Sequence, residues 1–147
     1  MAPFPKKISV INIFLAWIPA CVLMTCIFIM SHRPHVQAST DEWYNFAILK
    51  TLHACGYALL WLSYRFALAQ TFPSTSSKQI RLIAVVFAFL YATLDELHQQ
   101  YIPTRTGTLR DIGIDLLGVA SIYWLYSYGF FRKVQKLVAL HAHSRTS

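Results

Sequence analysis

The segment that decides the fold is Asp95–Asp115, "DELHQQYIPTRTGTLRDIGID", which carries four carboxylates and two arginines. It follows the apolar run "RLIAVVFAFLYATL" and comes just before a second one, "LLGVASIYWLYSYGFF". Two apolar helices joined by a polar loop at the lipid–water boundary would produce this alternation. The sequence therefore predicts two adjacent membrane helices whose shared end is polar.

Composition supports lipid as the surrounding medium. The 147 residues are 56% hydrophobic and 15% aromatic, only 13% are charged, and the mean hydropathy is +0.44. Soluble domains average about 25% charged residues. The net charge of +7 does not indicate nucleic-acid binding, because the Lys and Arg residues gather at the ends of apolar runs. The three cysteines lie within apolar runs and form neither a disulfide framework nor a zinc motif.

Four segments are long enough to cross the hydrocarbon core, which needs about 20 mostly apolar residues. They are predicted at about 8–30, 51–72, 80–101 and 112–131. The first is longer than the apolar region of a signal peptide, so we interpret it as a retained anchor. The expected fold is all-α: one domain over residues 1–147, a four-helix membrane bundle.

The orientation follows from the basic residues near the ends of these spans, since cytoplasmic loops are enriched in Lys and Arg. Four spans place both termini on one side, and that side holds nine of the 13 basic residues. The other side holds Arg33, Lys50, Arg105 and Arg110 together with all six acidic residues. The sequence therefore predicts cytoplasmic termini and an acidic outer end.

Helical spacing indicates how the outer polar residues meet. Small residues recur every four positions at Ala84, Ala88 and Ala92, a spacing that lets membrane helices approach closely, and Glu96 continues this face. Asp95 is spaced to pair with Gln99 one turn later.

The other two helices are predicted to contribute polar faces at the same depth. Asp111, Asp115 and Gly118 share one face of the fourth span, and Lys50, His53 and Tyr57 share one face of the second. Ionisable groups inside a membrane segment usually face the bundle interior and mark a functional site.

These motifs, in this order, resemble the VanZ-like family of membrane proteins. The resemblance rests on "LDELHQQYIPTRTGTLRDIGIDLLG", on "LKTLHACGYALL" and on "FIMSHRP". It implies a multi-pass protein of the bacterial cytoplasmic membrane, with a link to resistance to the glycopeptide teicoplanin. The implied site residues are Lys50, His53, Tyr57, Asp95, Glu96, Gln99, Arg105, Asp111, Asp115 and Gly118.

Three functional hypotheses follow. In the first, the outer cluster binds a polar or lipid-linked ligand of the cell envelope, and Lys50, Arg105 and Arg110 hold its phosphate or carboxylate. In the second, the cluster is a structural clasp between helices, with or without a partner protein. Arg105 is predicted to be the main counter-charge to the carboxylates of the third and fourth spans.

The third hypothesis is a metal-dependent enzyme that acts on a lipid-linked substrate. Asp111 and Asp115, with Asp95 or Glu96, would hold the cation, and His53 would act as general acid or base. Neither the G-x-S-x-G nor the H-E-x-x-H motif occurs. The sequence identifies no cofactor and no oligomeric state, and it leaves open whether the protein is an enzyme.

Overall fold

A computed structural model describes residues 9–33, 39–103 and 108–129 of the chain. These residues form four α-helices and no strand, which confirms the predicted all-α class. The helices are α1 (Val10–His32), α2 (Glu42–Thr71), α3 (Ser77–Gln99) and α4 (Leu109–Ser127). Most helix ends lie within a few residues of the ends predicted from the sequence, and two ends differ by more.

The start of α2 is the larger difference. The predicted second span begins near residue 51, whereas the helix begins at Glu42 and runs for 30 residues. Asp41 caps it, because the Asp41 carboxylate accepts hydrogen bonds from the backbone N–H groups of Trp43 and Tyr44 at 2.9 and 3.1 Å. Lys50 consequently lies inside α2 and not at the start of the helix.

The end of α4 is the second difference. The predicted span extends to residue 131, but the helix ends at Ser127. Gly129 adopts a φ of 72°, a left-handed conformation that glycine tolerates and that commonly ends a helix. Residues 130 and 131 lie outside the described part of the chain.

The described helices have the inverted burial of a membrane protein. Large apolar side chains such as Phe14, Leu94 and Leu117 are more than 60% exposed. Three aspartates and a glutamate are buried, together with alanines and larger apolar residues such as Trp61. By length and composition α1 and α2 each suffice to cross a membrane, with mean hydropathies of 2.5 and 1.3. In the described residues, α3 and α4 do not meet that criterion by themselves.

Close packing around α2 holds the bundle together. This helix packs against each of the other three. Gly118 of α4 lies against the backbone of Ala54 in α2, and a Cβ at that position would collide with the Ala54 carbonyl. The predicted small-residue face of α3 is likewise fully buried, since Ala84, Ala88 and Ala92 are each 0% exposed. Short side chains thus bring three helices near enough for their polar ends to meet.

Candidate functional site

One end of the bundle gathers the charged residues. We call it the polar end: it comprises the last turns of α1 and α3, the first turns of α4, and the first half of α2. Its buried polar side chains, each at most 4% exposed, are Ser31, Asp95, Glu96, Gln99, Asp111 and Asp115. Burial of polar groups is costly unless they find partners, so their hydrogen bonds indicate what the arrangement does.

The first group of partners joins α1 to α3. The hydroxyl of Ser31 donates to Oδ2 of Asp95 at 2.8 Å. Nε2 of Gln99 donates to the same oxygen at 3.1 Å, and to Oγ of Ser31 at 3.3 Å. The predicted pairing of Asp95 with Gln99 is therefore present, and Ser31 completes a buried triangle.

Glu96 differs from Asp95 because it binds a backbone group at the start of α4. Its Oε2 accepts a hydrogen bond from the N–H of Thr108 at 2.9 Å. Thr108 is the N-cap residue of α4, so a carboxylate from α3 lies at the positive end of the α4 dipole. The two helices are thereby fixed relative to each other at the point where the polar loop joins them.

Asp111 pairs with a lysine from α2. Nζ of Lys50 lies 2.8 Å from Oδ1 of Asp111, and the two side chains are 21% and 5% exposed. Arg110 approaches the same oxygen only to 3.9 Å with a side chain that is 68% exposed. The guanidinium of Arg110 lies 4.9 Å from the centre of the Phe46 ring. Lys50 is thus the closer described cation of Asp111, and Arg110 remains accessible at the rim.

His53 and Tyr57 continue the α2 face towards the core. Nδ1 of His53 lies 3.9 Å from Oδ1 of the buried Asp115. Tyr57 is 0% exposed. Its hydroxyl and Oδ1 of Asp95 are buried and have no hydrogen-bond partner among the described residues. The polar end is therefore not a fully satisfied network within the part of the chain that is described.

A cleft of about 460 Å³ opens between α1 and α2 beside this network. One wall is apolar and comes from α1, with Leu23, Ile27 and Met30. The opposite side carries polar groups from α2, α3 and α4, namely Glu42, Asn45, Lys50, His53, Gln99, Arg110 and Asp111. The cleft is thus lined by apolar side chains on one side and by polar and charged side chains on the other.

Nearly all the predicted site residues meet at the polar end, with one exception. Arg105 lies in residues 104–107, outside the described residues, so the prediction that it is the main counter-charge of the carboxylates stays a prediction. Lys50, which the sequence predicts to hold a phosphate or carboxylate of the ligand, lines this cleft and also pairs with Asp111. The predicted divalent-cation site has no support in this geometry, because no group of three or more His, Cys, Asp or Glu side chains in the described residues is placed to hold a metal ion.

Ser31 is a member of the network that the sequence did not predict. Its position at the end of an apolar helix, in "FIMSHRP", was the available signal. A second contact that the sequence did not predict joins α1 and α3 nearby, between Nδ1 of His32 and Nε2 of His98 at 3.1 Å. Helical periodicity cannot predict contacts between residues that are so far apart in the sequence.

Comparison with known proteins bears directly on this arrangement. The VanZ/LLP1 family matches residues 14–132, which include all four helices apart from the first turn of α1. No curated protein and no solved structure gave a match. The match covers most of the chain and includes every residue of the polar end. The resemblance seen in the motifs is therefore confirmed, and this membrane protein belongs to the VanZ/LLP1 family.

Proposed function

We propose that this protein crosses the bacterial cytoplasmic membrane four times, with both termini in the cytoplasm, and that its outer cleft binds a polar or lipid-linked ligand of the cell envelope. The topology is supported by the distribution of basic residues and by four helices of 19 to 30 residues. The family link to glycopeptide resistance is consistent with this ligand class, because those drugs act on cell-wall precursors.

The observation that carries the proposal is the mixed lining of the cleft. Ligand pockets typically measure about 300–1,000 Å³ and place a few polar groups on an otherwise apolar wall. An amphiphilic ligand would lay its chain against Leu23, Ile27 and Met30 and direct its head towards Lys50 and Arg110. Arginine binds phosphate or carboxylate with two parallel hydrogen bonds, and Arg110 is exposed enough to do so.

A structural clasp is the second candidate, and specific contacts favour it. The Lys50–Asp111 pair, the Glu96–Thr108 bond and the Ser31–Asp95–Gln99 triangle each join two helices. A clasp needs these contacts but does not need the adjacent cleft. The two functions can therefore be separated by filling the cleft while leaving every clasp contact in place.

Two cysteines of α1 provide a matched pair of variants for that experiment. Both are exposed, but Cys26 lines the cleft and Cys21 does not. Cys26→Trp should fill part of the space, and Cys21→Trp adds the same side chain elsewhere on the helix. Binding of a polyisoprenyl phosphate to the purified proteins is measured by native mass spectrometry, with the corresponding polyisoprenol as the phosphate-free probe.

We expect wild type and Cys21→Trp to retain the phosphate probe equally, and Cys26→Trp to lose about tenfold in affinity, equivalent to about 1.4 kcal/mol. The phosphate-free probe should bind more weakly to all three. Equal binding by both tryptophan variants, with unchanged thermal stability, would exclude the cleft as the site and favour the clasp.

The topology has its own test. Single cysteines at Ser39 and Ser76, introduced into a cysteine-free background, mark the two ends of the bundle, since Ser39 precedes α2 and Ser76 caps α3. An impermeant thiol reagent applied to intact cells should label Ser39→Cys and spare Ser76→Cys. Labelling in the reverse pattern would invert the orientation, and labelling of both would contradict an odd number of crossings between them.

A further inference from the structure

The end of the bundle opposite the polar end holds a second cluster, which we call the aromatic end. It comprises Trp61 and Arg65 of α2, Arg81 of α3, and Tyr123 and Tyr126 of α4. Trp61 is fully buried at its centre. The indole meets the rings of Tyr123 and Tyr126 edge-on, at centroid distances of 5.7 and 5.9 Å.

The aromatic end is a rigid junction of three helices. Nε1 of Trp61 donates a hydrogen bond to the backbone carbonyl of Arg81 at 3.3 Å, which joins the second turn of α3 to α2. Ser76 and Gln79 form a capping box that starts α3 just before this point. The backbone from which Arg81 projects is thus held on both sides.

Each arginine lies over one of the tyrosines. The guanidinium carbon of Arg65 is 4.1 Å from the centre of the Tyr126 ring, and that of Arg81 is 5.9 Å from the Tyr123 ring. A cation over an aromatic ring uses the face of its guanidinium. This contact leaves the N–H edge, which forms the hydrogen bonds, available to another partner.

The hydrogen bonds of the two guanidiniums are incomplete. Nε of Arg65 and Nε of Arg81 are both buried without a hydrogen-bond partner among the described residues. The one hydrogen bond found for the Arg81 side chain in that part of the chain runs from Nη1 to Oγ of Ser77, at 3.1 Å. A buried donor without an acceptor costs about 1–3 kcal/mol, so an acceptor for these two N–H groups would stabilise this end.

No carboxylate side chain of this chain can be that acceptor. All six Asp and Glu residues of the full sequence lie at or near the polar end. At 1.5 Å per residue, Asp95 is about 21 Å along α3 from Arg81, and Asp115 is about 16 Å along α4 from Tyr126. Ion pairs form at about 4 Å or less. The arginines therefore lack a carboxylate partner from any side chain, including those outside the described residues.

We propose that Arg65 and Arg81 form a binding site for a phosphate group at the aromatic end. Two guanidinium edges offer more donors than one carboxylate can accept, whereas a phosphate presents several oxygens that match the arginine fork. The tyrosine and tryptophan rings exclude water from one side of the guanidiniums and so strengthen the contact.

Under the proposed topology this end lies at the cytoplasmic membrane surface, where anionic phospholipids supply phosphates. Basic pockets between membrane helices on that side bind such headgroups. A soluble phosphate compound would present the same chemistry. The site shares no residue with the cleft at the polar end, so either proposal can fail without the other.

The test uses the purified full chain in detergent, titrated with phosphatidylglycerol and, separately, with zwitterionic phosphatidylcholine under native mass spectrometry. Arg65→Gln and Arg81→Gln remove one guanidinium each. Lys78→Gln is the matched control. Lys78 is exposed near the start of α3, close to Arg81 in sequence, and its replacement also removes one positive charge. Thermal unfolding in sodium phosphate against sodium chloride, at equal ionic strength, probes a soluble source.

We expect each arginine variant to bind phosphatidylglycerol about tenfold more weakly, which is the loss of one charge-assisted hydrogen bond, while Lys78→Gln stays within about twofold of wild type. Arg65→Lys keeps the charge and the aliphatic stem but not the fork. It should therefore fold even where Arg65→Gln does not, and should still lose several-fold in affinity. A phosphate-dependent rise in stability that the arginine variants lose, without lipid retention, would support the site and assign it to a soluble phosphate.

The proposal is overturned if neither probe distinguishes the arginine variants from wild type. It is also overturned if Lys78→Gln weakens binding as much as they do, because a diffuse positive surface would then account for the whole effect.

Discussion

Lys50 and Asp111 allow the energetics of the polar end to be measured directly. Their charged atoms are 2.8 Å apart, and Asp111 is 5% exposed. At an effective dielectric constant of about 20, two unit charges at this distance attract by about 6 kcal/mol before desolvation is subtracted. Breaking a fully buried pair costs about 3–5 kcal/mol, and exposed pairs contribute about 0–1 kcal/mol. Lys50 is 21% exposed, so we expect Lys50→Met to lower the free energy of unfolding by about 2–3 kcal/mol.

A double-mutant cycle isolates the interaction from other effects of the substitutions. Asp111→Asn alone should also be destabilising, because it leaves the lysine without its partner. Lys50→Met combined with Asp111→Asn should lose little more than either single change, which gives a coupling of about 2 kcal/mol. Unfolding in mixed micelles, followed by the fluorescence of the four tryptophans, provides the free energies.

Arg110 supplies the control cycle. It lies 3.9 Å from the same oxygen but is 68% exposed, and at the dielectric constant of water that distance corresponds to about 1 kcal/mol before entropy and salt reduce it. Arg110→Met with Asp111→Asn should therefore show a coupling below about 0.5 kcal/mol. Strictly additive losses for Lys50 and Asp111 would refute the assignment of Lys50 as the counter-charge. They would shift attention to Arg105, the partner expected from the sequence.

Two further predictions concern helix packing. Gly118→Ala should lower the free energy of unfolding by about 1–3 kcal/mol, because its methyl group would meet the Ala54 carbonyl. Gly113→Ala on the same helix has nothing within 4 Å of the new Cβ and should be neutral or slightly stabilising, since alanine favours helix by about 1 kcal/mol. Ala88→Leu should lower folded yield through overpacking at a fully buried position, whereas Phe89→Leu, at a side chain that is 44% exposed, should be tolerated. Equal responses within either pair would contradict the close helix contacts.

The sequence by itself determined the helices, their approximate ends and the segregation of charge between them. These properties are local: a helix can be recognised from about 20 apolar residues, and its buried face from a period of 3.6. The Ala84–Ala88–Ala92 face and the Asp95–Gln99 pair were accessible for this reason. The boundaries that failed depended on single capping residues, Asp41 at one end of α2 and Gly129 after α4.

The tertiary structure alone decided which groups became partners. Ser31 and Asp95 are 64 positions apart in the chain, and Trp61 and Arg81 belong to different helices. The distribution of charged residues in the sequence predicted an acidic end. It could not predict that Glu96 binds the backbone of α4 or that Lys50 pairs with Asp111. The physical reason is that helix formation is set by neighbours in sequence, whereas pairing across helices depends on how closely the backbones approach. That approach is set by contacts such as Gly118 against Ala54, which place the charged ends of α2 and α4 within reach of each other.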